Sequence, residues 1–359
     1  MATTPPEFWT HARTLPRLVG PAARRAEAEG WTGVTLGDSQ NMSGDPFVAF
    51  GTVAAATTTL RLTTGVTNPY TRHPAVTASA ILCADIESGG RVELGVGRGD
   101  SALAHIGLAP VSVRAFRDFL EMQRLYLTGA AVPIDQAAQG ASGRVGAGLP
   151  LGLAPQESRL MWIDELRHLG VDPGSRTVPI WTAATGPEVI KAAAELGDRV
   201  TFALGADPKR VQWGVELARS ARPAVALGAI VTVVVDDDRD RAFALSKGGI
   251  ATFVRFSAMH GRVHGVVSER DAKMMLDVPK AYDMYRHARA GPQADVIDRE
   301  FAERFAILGP ADYCVDRLLE LVELGIDRFH VGGASRGEDP ELADAANRRF
   351  LEQVMPRLA

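Results

Sequence analysis

Short runs of β-branched and apolar residues alternate along the chain with longer stretches of helical periodicity. The runs at 8–13 (FWTHAR), 32–37 (TGVTLG), 60–66 (LRLTTGV) and 91–96 (RVELGV) read as strands, as do 178–183 (VPIWTA), 199–204 (RVTFAL), 226–234 (ALGAIVTVV) and 327–332 (DRFHVG). Apolar positions at helical spacing fill 17–29, 46–57, 75–87, 113–127, 187–196, 208–220 and 311–324. Three junctions, EAEGWTGV, AELGDRVTF and VELGIDRFHV, place a glycine after the last helical turn and start the next strand at once. Eight strands joined by crossover helices imply a parallel sheet, and eight is the number that closes an α/β (β/α)8 TIM barrel. The pattern predicts one such barrel domain over residues 1–359.

Two segments exceed what the barrel needs. Residues 129–176, after the fourth strand, begin GAAVPIDQAAQGASGRVGAGLP, with little periodicity until a short helix near 155–169. Residues 257–305, after the seventh strand and its helix, are polar and mostly helical in pattern. Insertions this long in a compact domain serve as lids or partner surfaces, and both are expected over the catalytic face.

Composition narrows the function by exclusion. With 46% apolar and 23% charged residues and a net charge of −4, the chain has no basic excess to bind nucleic acid. It has no apolar run of the roughly 18 residues that a membrane span requires, and MATTPPEFWTHAR does not read as a signal peptide. Cytoplasmic localisation is expected. The two cysteines, Cys83 and Cys314, are expected as buried reduced thiols.

Barrel enzymes build their sites on the loops that follow the strands. Here those loops carry Asp38 and Ser39; Gly65, Val66, Thr67 and Asn68; Gly97, Arg98, Gly99 and Asp100; Ala184, Thr185 and Gly186; and Gly205. Gly97 and Gly99 make half of a dinucleotide fingerprint whose third glycine is missing, on the wrong strand for a Rossmann fold. Thr185-Gly186-Pro187 opens a helix with a hydroxyl and free N–H groups, an arrangement suited to an anion. A phosphate-bearing cofactor lying across several strand ends fits this layout. Asp100 stands before a helix, where it serves either as an N-cap or in proton transfer. His11, at the end of the first strand, is a second proton-transfer candidate. Trp9 and Trp181 fill the core or a pocket wall. His260 and His264 share a helical spacing but lack the companions of a metal site, so no metal is expected. There is no G-x-S-x-G motif for covalent hydrolysis.

The runs TNPYTRHPAVTASA and SGGRVELGVGRGDSA, with RFAILGPADYCVDRLLELVELGIDRFHVGG near the end, resemble the bacterial luciferase-like superfamily. The nearest branch is similar to methylenetetrahydromethanopterin reductase and other oxidoreductases that use the deazaflavin coenzyme F-420. The resemblance implies a non-prolyl cis peptide at Gly65–Val66, where a backbone bulge would press on the back of the cofactor ring. It also implies that Asp38 lies near the pyrimidine end of that ring and that Asp100 or His11 handles a proton. Relatives commonly carry histidine after the acidic residue; this chain has Ser39.

The function expected on this basis is hydride transfer between coenzyme F-420 and an organic substrate bearing C=N, C=C or C=O. Arg98 and Lys209 are candidate rim charges for the cofactor's acidic tail. The alternatives are an FMN-dependent monooxygenase served by a flavin reductase, and a non-catalytic flavin-binding relative. The superfamily commonly pairs through helices beside the third strand, so a homodimer is expected, with TASAILCADIESGG as a packing face.

Overall fold

The computed structural model describes residues 5–139, 155–171, 177–258, 260–287, 289–335 and 339–358. Eight strands recur where the hydrophobic pattern places them: β1 (Glu7–Ala12), β2 (Gly33–Leu36), β3 (Arg61–Thr64), β4 (Val92–Val96), β5 (Ile180–Ala184), β6 (Arg199–Phe202), β7 (Ala226–Val235) and β8 (Arg328–Gly332). Their hydrogen-bonded order runs β7-β8-β1-β2-β3-β4-β5-β6, and a further pairing joins β6 to β7. The sheet therefore closes into a parallel (β/α)8 barrel.

The helices of the barrel are α1 (Val19–Ala28), α2 (Pro46–Ala56), α3 (Pro74–Ser88), α4 (Val113–Leu127), α5 (Pro187–Leu196), α6 (Pro208–Ala221), α7 (Arg239–Ala258), α8 (Ala311–Glu323) and α9 (Pro340–Arg349). Several begin at proline, whose missing N–H is not needed in the first turn. The residue before supplies the cap: Asp45 accepts from Phe47 N–H at 2.8 Å, and Asp207 from Lys209 N–H at 2.9 Å. Gly30 and Gly325, two of the three junction glycines, take the left-handed conformation that ends a helix.

The chain divides into two compact units. The first spans Ala12–Thr182 and Leu196–Asp198, and so holds β2, β3, β4 and the start of β5. Arg91 ties its base together: the guanidinium donates to the carbonyls of Ala54, Thr57, Leu60 and Ser88 at 2.7–3.1 Å. Inside the barrel, Trp181 Nε1 donates to Thr63 Oγ1 at 2.7 Å, the core role expected of this tryptophan. Cys83 corrects the expectation of two buried thiols. It is exposed, because the buried face of α3 runs through Thr77, Ala78, Ile81, Leu82 and Asp85 and leaves Cys83 outside; Cys314 is buried. Much of the 129–176 insertion lies outside the described residues. Its described parts include a two-stranded antiparallel ribbon, Val132–Pro133 with Glu157–Ser158, and a helix at Met161–His168.

The second unit spans Met1–His11, Ala183–Glu195 and Arg199–Ala359. A short strand, Ile307–Gly309, pairs with Val233–Val235 at the end of β7. The 257–305 insertion is helical, as its pattern predicts, and it has a core of its own. Met275, Phe301, Ala302 and Phe305 pack on Ile250 and Val254 of α7 and on Val234. Arg304 fixes it further with a two-point contact to Asp271 at 2.8 and 2.9 Å. The first residues of the strands in this unit carry paired charges. Arg328 Nε donates to Glu7 at 2.6 Å, its guanidinium lies 4.7 Å from the Trp9 ring, and Arg199 pairs with Asp327.

Candidate active site

In the first unit, the strand ends of β2, β3 and β4 are stitched together just where the sequence places its candidates. Gly65 N–H donates to the Leu36 carbonyl at 2.7 Å, and Thr67 N–H to the Gly95 carbonyl at 3.0 Å. Gly97 N–H returns to the Thr67 carbonyl at 2.9 Å. The Gly65–Val66 peptide is cis. These two residues are half-exposed, although Thr63, Thr64, Thr67 and Asn68 on either side are buried. Val66 thus forms an accessible ledge on an otherwise closed strand end.

The glycines here have packing reasons. A Cβ on Gly65 would meet Thr35 Cβ at 2.7 Å, and one on Gly97 would meet Val66 Cγ2 at 2.7 Å. A side chain at Gly65 therefore crowds its neighbour on β2, whereas one at Gly97 pushes on the ledge itself. Gly99 lies against Leu103 and Asn68 in the same way.

Beside the ledge sits a group of buried polar atoms: Asn68 Nδ2 and Thr71 Oγ1 have no hydrogen-bond partner among the described residues, and Asp38 Oδ2 and Thr67 Oγ1 have none beyond the interaction of that carboxyl with that hydroxyl. Leaving such groups unmade costs about 1–3 kcal/mol each, and they cluster where the chain leaves β2 and β3. The other Asp38 oxygen accepts from Gln40 at 2.8 Å, and Asn68 Oδ1 accepts from the N–H groups of Tyr70 and Thr71. Burial pushes the Asp38 carboxyl above the usual range, and the nearby Thr67 hydroxyl, Arg72 charge and Gln40 amide only temper it. Ser39 lies in the turn that follows, its N–H donating to Ser43 Oγ at 3.2 Å.

Asp100 is half-buried ahead of a short helix, Ser101–Ala104, and its side chain makes no cap hydrogen bond. That removes the N-cap explanation for its presence. Arg98 is half-buried, and its Nε donates to the Val111 carbonyl at 2.7 Å.

In the second unit, Ala184 is buried at the end of β5 and its carbonyl accepts from Ala203 N–H at 3.0 Å. Thr185 and Gly186 are half-exposed ahead of α5, where the first-turn N–H groups have no helical acceptor. A Cβ on Gly186 would find a single neighbour, the His264 ring at 3.7 Å. His264 thus lies against the turn that precedes α5. Arg210 holds it there, donating to the His264 carbonyl at 3.3 Å and to the Leu204 carbonyl at 3.0 Å. Nothing in the spacing of these residues signals that strap.

Gly205 is buried, with φ +81°, and a Cβ there would overlap Phe305 at 2.7 Å. It is the seat of the insertion. Lys209 is exposed at the start of α6. His11 is exposed on the same face of β1 as Trp9, whose ring lies 5.6 Å from His330. Burial, then the charges of Arg328 and Arg199, hold the His330 imidazole well below its usual pKa.

The sequence profile described as luciferase-like monooxygenase matches residues 4–328. The chain is a member of this family. As a luciferase-like protein it is 27% identical over 314 residues to 5,10-methylenetetrahydromethanopterin reductase of Methanopyrus kandleri, covering 81% of each chain. It is 26% identical over 323 residues to the F-420-dependent glucose-6-phosphate dehydrogenase of Beutenbergia cavernae, covering 86% of this chain and 81% of that one. The fold matches the solved coenzyme F-420-dependent tetrahydromethanopterin reductase of Methanopyrus kandleri with a TM-score of 0.70, at 23% identity over 99% of this chain and 100% of that one.

Proposed function

We propose that this luciferase-like protein is a coenzyme F-420-dependent oxidoreductase acting on an organic C=N, C=C or C=O group. One observation carries the cofactor assignment. Relatives named for two unlike substrates, a pterin and a sugar phosphate, have names that carry the same cofactor, and each aligns over more than four fifths of this chain. The residues present fit that group. A pyrimidinedione edge offers two carbonyl acceptors and an N–H donor, and the buried polar atoms beside the ledge complement it: the Asn68 amide N–H and Thr67 hydroxyl as donors, Asp38 Oδ2 as acceptor.

When bound, the deazaflavin supplies hydride chemistry at carbon 5 of its ring. The chain's own residues do the rest. Gly65 and Val66 offer the ledge for one face of the ring, leaving the other to substrate. Gly97 keeps the room behind Val66. Thr185 and Gly186 present free N–H groups to the phosphate, with Ala184 fixing the turn and His264 closing it. Asp100, or His11, exchanges the proton that balances hydride transfer. Asp38 holds the pyrimidine edge. No helix among the described residues is long and apolar enough to cross a membrane. A homodimer and a cytoplasmic setting belong to the same proposal, the former supported by Val76 and Cys83 standing exposed on α3.

The test is turnover without oxygen. Reduced coenzyme F-420 is mixed with the protein and a panel of imines, enones and ketones, and return of the oxidised cofactor's absorbance is followed. Cofactor oxidation that depends on substrate supports the reading. Turnover seen only with reduced FMN and oxygen would replace it with the monooxygenase alternative, in which a flavin reductase is the partner.

A further inference from the structure

The upper barrel wall of the second unit bears on what kind of substrate this site accepts, an inference that rests on the oxidoreductase reading above. In β8 and β7, Gly332 pairs with Thr232 and His330 with Ile230. Strand alternation points all four into the barrel, together with Trp9 and His11 of β1. The lower row is closed: Trp9 is fully buried and His330 nearly so. Above it the barrel opens, because Ile230 and Gly332 are half-exposed and His11 is exposed.

Helix α7 roofs this opening. A Cβ on Gly249 of α7 would lie 3.5 Å from the Thr232 hydroxyl, and one on Gly332 would lie 3.7 Å from the Phe253 ring and 3.8 Å from that hydroxyl. Thr232 Oγ1 is buried and has no hydrogen-bond partner among the described residues. Two glycines thus leave space around one unsatisfied hydroxyl. Phe253 and Phe256, both half-exposed and set edge to face with centroids 5.7 Å apart, form the apolar side. The cations around this wall are already engaged: Arg328 pairs with Glu7, Arg199 of β6 with Asp327, and the buried Arg255 of α7 lies over the Tyr282 ring at 4.7 Å and 5.8 Å from that of Phe256.

We propose that this wall is the substrate pocket and that it selects an uncharged substrate. The substrate's oxygen or nitrogen would enter between Gly249 and Gly332 to meet the Thr232 hydroxyl, with a flat or apolar group against Phe253. A phosphate or carboxylate at the same place finds no unengaged arginine or lysine among these residues and has to shed its water there. Thr232 and Gly332 are accordingly specificity-determining residues.

Binding of cyclohex-2-enone, an uncharged apolar ring carrying both C=C and C=O, tests this. Saturation-transfer NMR is run on the protein with and without coenzyme F-420, with glucose 6-phosphate as the anionic competitor. Cofactor affinity is measured separately by fluorescence, so loss of the cofactor reading shows there and leaves the enone result interpretable. The enone is expected to bind the parent protein. Thr232→Val should weaken it roughly five- to tenfold, the worth of one neutral hydrogen bond. Gly332→Leu, whose Cβ has ordinary contact room, should abolish it. Cofactor affinity and Tm should stay near parental values in both, and the sugar phosphate should not compete. Enone affinity unchanged in both variants, or glucose 6-phosphate bound as tightly as the enone, would overturn the proposal.

Discussion

Replacing Gly97 with alanine adds one methyl group at the back of the Val66 ledge. The new Cβ would stand 2.7 Å from Val66 Cγ2, about 0.7 Å short of ordinary contact. Valine is stiff about χ1, so the side chain cannot rotate out of the way cheaply. Gly97 itself needs no left-handed conformation, so the backbone tolerates alanine. Val66 is half-exposed on its other side, and that is the direction in which it must move. Overpacking in a closed core costs about 1–3 kcal/mol. With one side open, the folding cost should sit near 1 kcal/mol, or roughly 2 °C in Tm for a chain of this size. The displaced Val66 intrudes on the ring's position instead, and deazaflavin affinity should fall roughly 10- to 100-fold, about 1.4–2.8 kcal/mol. Fluorescence titration and thermal unfolding on the same preparation separate the two. Affinity within twofold of the parent would show that Val66 does not front the cofactor. A loss of Tm beyond about 10 °C would show that the ledge is part of the closed core.

Asp100→Asn should lower turnover by roughly 10²–10⁴-fold at near-parental cofactor affinity; equal losses of Tm and turnover would assign it a structural role instead. Gly205→Ala should lower Tm by several degrees, since it combines a left-handed φ with overlap on Phe305; a variant as stable as the parent would refute its role as the seat of the insertion. Glu27 offers a pH test. Burial raises its pKa, but N–H donors from Thr59, Leu60 and Thr58 and the Thr59 hydroxyl, all on one oxygen at 2.6–3.0 Å, bring it down to about 2. A carboxylate with a lowered folded pKa stabilises the fold above its unfolded value of 4.5 and loses that contribution as pH falls toward 2. Discounted for solvent screening, Glu27→Gln should cost about 1–2 kcal/mol at pH 7 and progressively less below pH 4.5; a pH-independent difference in urea unfolding would contradict this.

The strands were legible because each is a short apolar run bounded by helix-ending glycines, a signal that depends only on neighbours in sequence. Their ends shift by a residue or two from the predicted spans, as at 60–66 against Arg61–Thr64, because pairing partners and not local pattern decide where a ladder stops. The Ile307–Gly309 strand was invisible: three residues carry no periodicity, and only the overhang of β7 calls it into being. The strand-end glycines could be read as turn residues, since turn chemistry is local. The reasons for them could not. Gly205 answers to Phe305, a hundred residues away, and Gly97 answers to Val66 on the adjacent strand. The setting of His264 over Gly186, held by Arg210, is likewise a product of the insertion's fold. Cys83 shows the limit of composition, since an alanine-rich helix reads as apolar on every face and only packing tells which one is buried.

The most direct test of the account is a paired titration of the purified protein with coenzyme F-420 and with FMN, read by fluorescence quenching. The parent protein should bind the deazaflavin more tightly than FMN, and Asn68→Ala should weaken that binding by roughly tenfold through loss of one donor to the pyrimidine edge. Tight FMN binding with no measurable binding of coenzyme F-420 would contradict the account and leave an FMN monooxygenase in its place.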